Sequence, residues 1–202
     1  MSSSRTAVRQ YWVAVRAMLI LTAVLGVGYT AVLTGIGQLA LPWQANGSLV
    51  KVGDTVVGSA LIGQGFTDKK GNALPEWFQS RPSAAGTGYD ASASSGSNYG
   101  PENADLITAI KKRTAAIAKL DGISPGGIPA DALTASASGL DPHISPEYAL
   151  EQVARVASAR TLSQTAVRAL VESTIQAPDL GFLGEPRVNV LDLNIALASL
   201  KG

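Results

Sequence analysis

Residues 17–37 read AMLILTAVLGVGYTAVLTGIG, 21 consecutive positions without a charge. A helix of that length, rising 1.5 Å per residue, spans about 30 Å, the thickness of a bilayer's hydrocarbon core. A chain of 202 residues that commits this stretch to a membrane has room for one further ordinary domain. Tyr11 and Trp12 stand where an interfacial aromatic belt would lie. Arg5, Arg9 and Arg16 precede the apolar run, and no acid precedes Asp54. Basic residues favour the cytoplasmic side. The expected organisation is therefore a cytoplasmic N-terminus over 1–12, a transmembrane helix over 13–38 and an extracytoplasmic domain over 39–202. A cleaved signal peptide fits less well, because the run exceeds the roughly 7–15 residues of a signal core and QLALPWQANG offers no small-x-small cleavage site. Gly26, Gly28, Gly35 and Gly37 are small enough to let a second membrane helix approach closely, which makes them candidate packing positions.

Composition agrees with a membrane-linked chain. Charged residues make up 15% of it, below the usual quarter or so of a soluble domain. With 5% aromatic residues against 46% hydrophobic, the core is expected to rest on Ala, Val, Leu and Ile. The absence of cysteine excludes disulfide scaffolds, zinc ribbons and thiol catalysis. Removing the three leading arginines from 16 bases leaves 13 against 15 acids, a net of −2 for the body. A slightly acidic body has no electrostatic footing on phosphate backbones, so nucleic acid is not an expected partner.

The body reads as α+β. Leu49 to Phe66 mixes β-branched residues with glycine and shows no helical stripe, which predicts strands around a turn at Gly53-Asp54. Ser83 to Gly100 is too poor in large side chains to bury much surface and predicts a long loop. Pro101 suits a first helical position, and Leu106, Ile110 and Ile117 then share one face of an amphipathic helix. A second Gly/Pro/Ser-rich connection follows, from Asp121 to about Ser145. Ser145-Pro146-Glu147 marks a helix start, with Leu150, Val153 and Ala157 on its apolar face and Thr161 at its end. Ser163 can cap the next helix, with Leu162 and Val167 as a hydrophobic staple. GEPRVNVLDLNIALASLKG, from Gly184 on, gives an extended entry and then an apolar helix through Leu191 and Ile195.

Catalytic patterns are weak. The one histidine, His143, sits near Asp141, Ser136, Ser138 and Ser145, but no G-x-S-x-G turn accompanies it, so a structural DPHISP turn is the better reading. No calcium-loop spacing or Gly-Lys-Ser/Thr phosphate loop occurs, and no metal site is expected. The Ser94–Pro101 stretch could turn backbone N–H groups toward an anion, although it lacks lysine. The helices of 145–177 carry Arg155, Arg160 and Arg168, a pattern that core packing explains as well as DNA reading does. Asn46-Gly47-Ser48 matches a glycosylation sequon of little specificity.

The order of short motifs is more specific than any one of them: PWQANGSL at 42–49, VGSALIGQGF at 57–66, RPSA at 81–84, SGSNYGP at 95–101, TASASGLDPHISP at 134–146 and GEPRVNVLDLNIAL at 184–197. In this order the sequence resembles the C subunit of the Kdp potassium-transporting P-type ATPase over nearly its whole length. Ser95-Gly96 stands where that family usually has two glycines. The resemblance implies a noncatalytic accessory subunit of a high-affinity potassium uptake complex in a bacterial inner membrane. Its partners would be the channel-like KdpA, the ATP-hydrolysing KdpB and the small KdpF, besides membrane lipid. It also implies the family's role as a catalytic chaperone that raises the ATP affinity of the hydrolysing partner. Gln64, Ser97 and Asn98 are nucleotide-binding candidates by resemblance only. No firmly bound cofactor is implied, and ATP would be met through the complex. The arginine bias, however, places the body a bilayer away from cytoplasmic ATP. Two readings stay open at this point: allosteric action from outside, or direct ATP contact by a body on the cytoplasmic side.

Overall fold

The computed structural model describes residues 3–200; the two outermost positions at each end of the chain, within the expected 1–12 and 39–202 segments, lie outside the described residues. Two compact units divide between Ser48 and Leu49.

The first unit is a long helix. It comprises α1 (Ser3–Leu21), a π-helical stretch (Thr22–Tyr29) and α2 (Thr30–Ala40), joined without a break because Leu21, Tyr29 and Thr30 all keep right-handed helical angles. Its Thr6–Ala40 portion is long and apolar enough to cross a membrane and is not buried within the chain. The helix therefore outruns the expected 13–38 stretch at both ends. The apolar pattern announced neither the π turns, which are rare and widen a helix locally, nor the helical turn that follows Leu41. Leu41 leaves the helical region with φ −136°, as a residue before proline tends to. Pro42 then opens the short α3 (Pro42–Ala45).

The second unit is α+β. Strands β1 (Leu49–Val52) and β2 (Thr55–Ser59) form an antiparallel hairpin, Leu49 opposite Ser59, with an irregularity between Val50 and Lys51. Gly53 turns it with φ +60°. From Ala60 to Asn103 the chain is irregular apart from isolated antiparallel bridges, Ser59 to Ile62 and Thr67 to Ala73, and a 3₁₀ turn at Ala91–Ala93. Helix α4 (Ala104–Asp121) starts three residues later than Pro101 suggests, because the Asn103 side chain accepts hydrogen bonds from the amides of Asp105 and Leu106 and fixes the start there. Its inward face does carry Leu106, Ile110 and Ile117, and Gly122 ends it in the left-handed region at φ +69°. The long second connection contains a 3₁₀ turn at Pro125–Gly127 and one α-helical turn, α5 (Ala130–Leu133), which the glycine and proline content concealed.

Three of the four remaining helices begin at a capping residue, and the one helix expected between Ser145 and Thr161 is broken at Gln152 into two, the second starting without a side-chain cap. Ser145 caps α6 (Pro146–Glu151), Ser163 caps α8 (Gln164–Thr174) and Asn189 caps α9 (Val190–Ser199). Between α6 and α8, α7 (Val153–Arg160) stops at Thr161, a non-glycine residue held at φ +58°. Strands β3 (His143–Ile144) and β4 (Val188–Asn189) form a two-residue antiparallel ladder that ties the start of α6 to the start of α9. The core lies among α6 to α9, where Val153, Val156, Val167, Val171, Leu193 and Leu197 are fully or almost fully buried around Phe78. Aliphatic side chains dominate it, as the composition required.

Candidate functional site

Residues 75–81 pass through the core side of this unit without joining a strand, so their backbone groups need partners from side chains. The helices supply them. Asn194 on α9 accepts from the Phe78 amide and donates to the Phe78 carbonyl, both at 3.0 Å. Gln152, between α6 and α7, accepts from the Gln79 amide at 2.6 Å and donates to its carbonyl at 3.2 Å. Arg155 donates to the carbonyls of Pro75 and Trp77 and pairs with Asp121. Arg160 lies 4.1 Å from the Trp77 ring centroid. Of the three arginines that could be scored for DNA reading, Arg155 and Arg160 hold this segment in place and Arg168 is exposed. Trp77 and Arg160 are a cation–π pair that sequence reading missed, since nothing links them locally.

That buried clamp positions Arg81 at the edge of a cleft of about 680 Å³, walled by residues 127–131 before and within α5, by 141–147, and by 185–187. Arg81 donates to Asp141 at 2.9 Å, and Asp141 also accepts from the His143 backbone amide at 3.0 Å with the His143 Nδ1 3.5 Å away. Burial alone would raise the Asp141 carboxyl; the hydrogen bonds from His143 and the Arg81 charge outweigh it and leave it below its ordinary value. Behind this pair, burial pushes the Tyr89 phenol up to about 12, and its hydroxyl donates to the Arg81 carbonyl at 2.7 Å.

The cleft is not arranged for acyl transfer. Ser145 donates to Asp131 at 2.9 Å and caps α6, while Ser138 accepts from the Leu140 amide. The orienting carboxylate, the imidazole and a free hydroxyl are not brought into line, and His143 serves the β3–β4 ladder. No group of three or more His, Cys, Asp or Glu among the described residues could hold a metal ion.

The nucleotide candidates are placed apart from the cleft. The Gln64 side chain donates to the Val57 carbonyl at 2.8 Å, which braces the end of β2. Ser97 and Asn98 are exposed on the 83–100 loop, Asn98 with a left-handed φ of +53°. Neither these two nor Gln64 wall the main cleft. That loop is anchored just before them: the Ser95 amide donates to the Ser138 carbonyl at 2.9 Å, and the Ser83 hydroxyl to the Gly139 carbonyl at 2.6 Å. The expected anion cradle over 94–101 does not feed a helix start, because Asn103 already occupies the first amides of α4.

Gly26 and Gly28 lie in the π stretch and Gly35 and Gly37 in α2. A Cβ at Gly35 would meet nothing within 4 Å, and one at Gly28 only the Ala23 carbonyl at 3.8 Å. The Gly28 and Gly35 faces are open within this chain, whereas a Cβ at Gly37 would meet that of Ala45 at 3.6 Å.

Among the described residues, one helix long and apolar enough to cross a membrane is followed by a helix-rich α+β body. The chain matches the family described as K+-transporting ATPase, c chain, over residues 11–199, and it belongs to that family. It is 53% identical to the potassium-transporting ATPase KdpC subunit of Kineococcus radiotolerans, with 90% of this chain and 89% of that protein covered. The KdpC subunit of Caulobacter vibrioides is 56% identical, with 87% and 86% covered. That of Methylococcus capsulatus is 50% identical, with 91% and 94% covered.

Proposed function

We propose that this chain is the noncatalytic accessory subunit of an ATP-driven potassium uptake complex in a bacterial inner membrane. The observation that carries the reading is the Thr6–Ala40 helix, with its basic residues gathered at the N-terminal end. By the basic-side rule that helix leaves the N-terminus in the cytoplasm and the body outside. The helix packs beside the channel-like and ATP-hydrolysing subunits, with the small subunit completing the assembly. The body stabilises the complex and acts as a catalytic chaperone, raising the ATP affinity of the hydrolysing subunit.

A body outside the membrane reaches the ATP site only by preferring one state of the pump over another, which is an allosteric coupling. The use of the Gln64 side chain to brace β2, and the commitment of Arg81 to Asp141, favour this route over direct ATP contact. The test is the ATP dependence of the purified complex with and without this subunit, beside equilibrium ATP binding to the purified full-length chain. Lower ATP affinity of the complex without the subunit, and no ATP binding by the chain alone, are expected. Saturable ATP binding by the chain alone would replace this reading with a direct nucleotide-binding chaperone.

A further inference from the structure

Between α8 and β4 the chain makes a second hairpin, at 176–187. Gln176 and Arg187 exchange backbone hydrogen bonds of 2.8 and 3.0 Å, and Asp179 and Leu183 exchange two of 2.9 Å. Arg187 also reaches Asp179 at 3.3 Å. The base of this hairpin, 185–187, forms one wall of the main cleft. Its tip carries Leu180, Phe182 and Leu183, which are 82%, 74% and 50% exposed; Leu180 and Phe182 are more exposed than any other large hydrophobic residue of the second unit.

Two features separate this tip from an incidental apolar residue. Leu180 sits in the left-handed region at φ +54°, followed by Gly181 at +82°. A leucine there is strained where asparagine or glycine would not be. Folding gains nothing from it, because its side chain is out in solvent; such strain in a tightly bonded turn points to a role in recognition. The second feature is charge. The tip has no lysine, tryptophan or tyrosine, and its flanks carry Asp179 and Glu185, with Arg187 already engaged by Asp179. Segments that dip into a bilayer interface set Trp, Phe or Leu against a face rich in Lys and Arg and are drawn to anionic lipid; the basic face is missing here. This tip would be repelled by anionic lipid.

We infer that the 176–187 hairpin is a docking plug: Leu180, Phe182 and Leu183 insert into an apolar pocket on a partner subunit of the complex, and Glu185 meets a basic group at its rim. An exposed apolar cluster held rigidly and bordered by an unpaired acid is the pattern of an interface anchor. This inference rests on the reading of the chain as a subunit of a potassium-transporting complex.

The experiment uses the whole complex, co-expressed with this subunit tagged and carrying Phe182→Ser, Leu180→Asn or no change. Each preparation is scored for the other subunits recovered and for the thermal unfolding of the purified tagged chain. Both variants are expected to recover at least about tenfold less of the other subunits, the cost of one hot-spot contact. Leu180→Asn, which relieves the turn, should leave unfolding unchanged or shift it upward. Undiminished recovery with both variants would overturn the plug while leaving the subunit reading intact. Failure of the unchanged chain to recover any subunit would overturn that reading and the plug with it. A benzophenone amino acid at position 182 reports the occupant: an adduct with an identified subunit supports the plug, and adducts with lipid alone overturn it in favour of the bilayer.

Discussion

Asn194 and Phe78, 116 residues apart, are joined by two 3.0 Å hydrogen bonds in which one carboxamide serves both backbone groups of the other residue. Both residues are buried. The amide side chain does for an unpaired segment what a neighbouring strand would otherwise do.

Asn194→Ala removes both partners and leaves the Phe78 amide and carbonyl buried and unsatisfied. Each orphan costs about 1–3 kcal/mol, so a loss of about 2–6 kcal/mol is expected in chemical or thermal unfolding of the full-length chain in detergent. A change below about 1 kcal/mol would mean that 75–81 is held chiefly by Gln152 and Arg155.

The two long loops are ordered against each other at Gly139, which has φ +68°. A Cβ there would come within 2.6 Å of the Ser95 carbonyl and 2.7 Å of the Ala85 amide, both backbone atoms with little freedom to move. Gly139→Ala is expected to cost about 2 kcal/mol or more and to open 83–100 to proteolysis before global unfolding. Unchanged protease resistance would count against the loop contact.

Glu151 gives a pH dependence of definite sign. Both its carboxylate oxygens are buried without a hydrogen-bond partner. Burial first, then the Asp121 and Asp131 charges, raise its pKa from 4.5 to about 7, against the opposing pull of Arg155. The folded state therefore holds a proton that the unfolded state releases. Stability from this group is fully present below about pH 4.5 and is lost as pH rises through about 7. Glu151→Gln keeps the shape and removes the charge. Its stability relative to the parent chain should climb between those two values and level off above them. A pH-independent difference in unfolding would show that Glu151 is not protonated in the folded chain.

Gly28→Leu and Gly35→Leu place bulk on faces that are open within this chain. Membrane insertion should persist, while co-purification of the other subunits should fall several-fold if these faces pack against partner helices. Recovery equal to the parent would place the helix–helix contact on another face.

Much of the helical frame was legible because its signals are local. Ser145 and Ser163 bond amides three residues ahead, and Thr161 closes a helix through its own backbone angles; the Asn189 cap and the Gly122 stop were not read from the sequence. Pro101 misled by three residues because the nearby Asn103 side chain competes for the same amides and wins. The clamp of Asn194, Gln152 and Arg155 onto 75–81 left no sequence signal, since its partners are 73 to 116 residues apart. The α5 turn, the π stretch and the 176–187 hairpin were hidden for a related reason: each depends on hydrogen bonds that composition does not encode. Of the site residues, Gly26, Gly28, Gly35 and Gly37 were readable only as small positions along an apolar helix. The positions of Gln64, Ser97 and Asn98 came from resemblance and are not gathered at the cleft.

The side of the membrane on which the body sits decides between allosteric action and direct ATP contact. The chain has no cysteine, so a single Ser94→Cys or Lys69→Cys substitution at an exposed position gives an unambiguous target. Cells with only the outer membrane permeabilised are treated with a membrane-impermeant thiol reagent. The account predicts labelling at both positions with the inner membrane intact. Labelling that appears only after the inner membrane is breached would contradict it, placing the body with ATP in the cytoplasm.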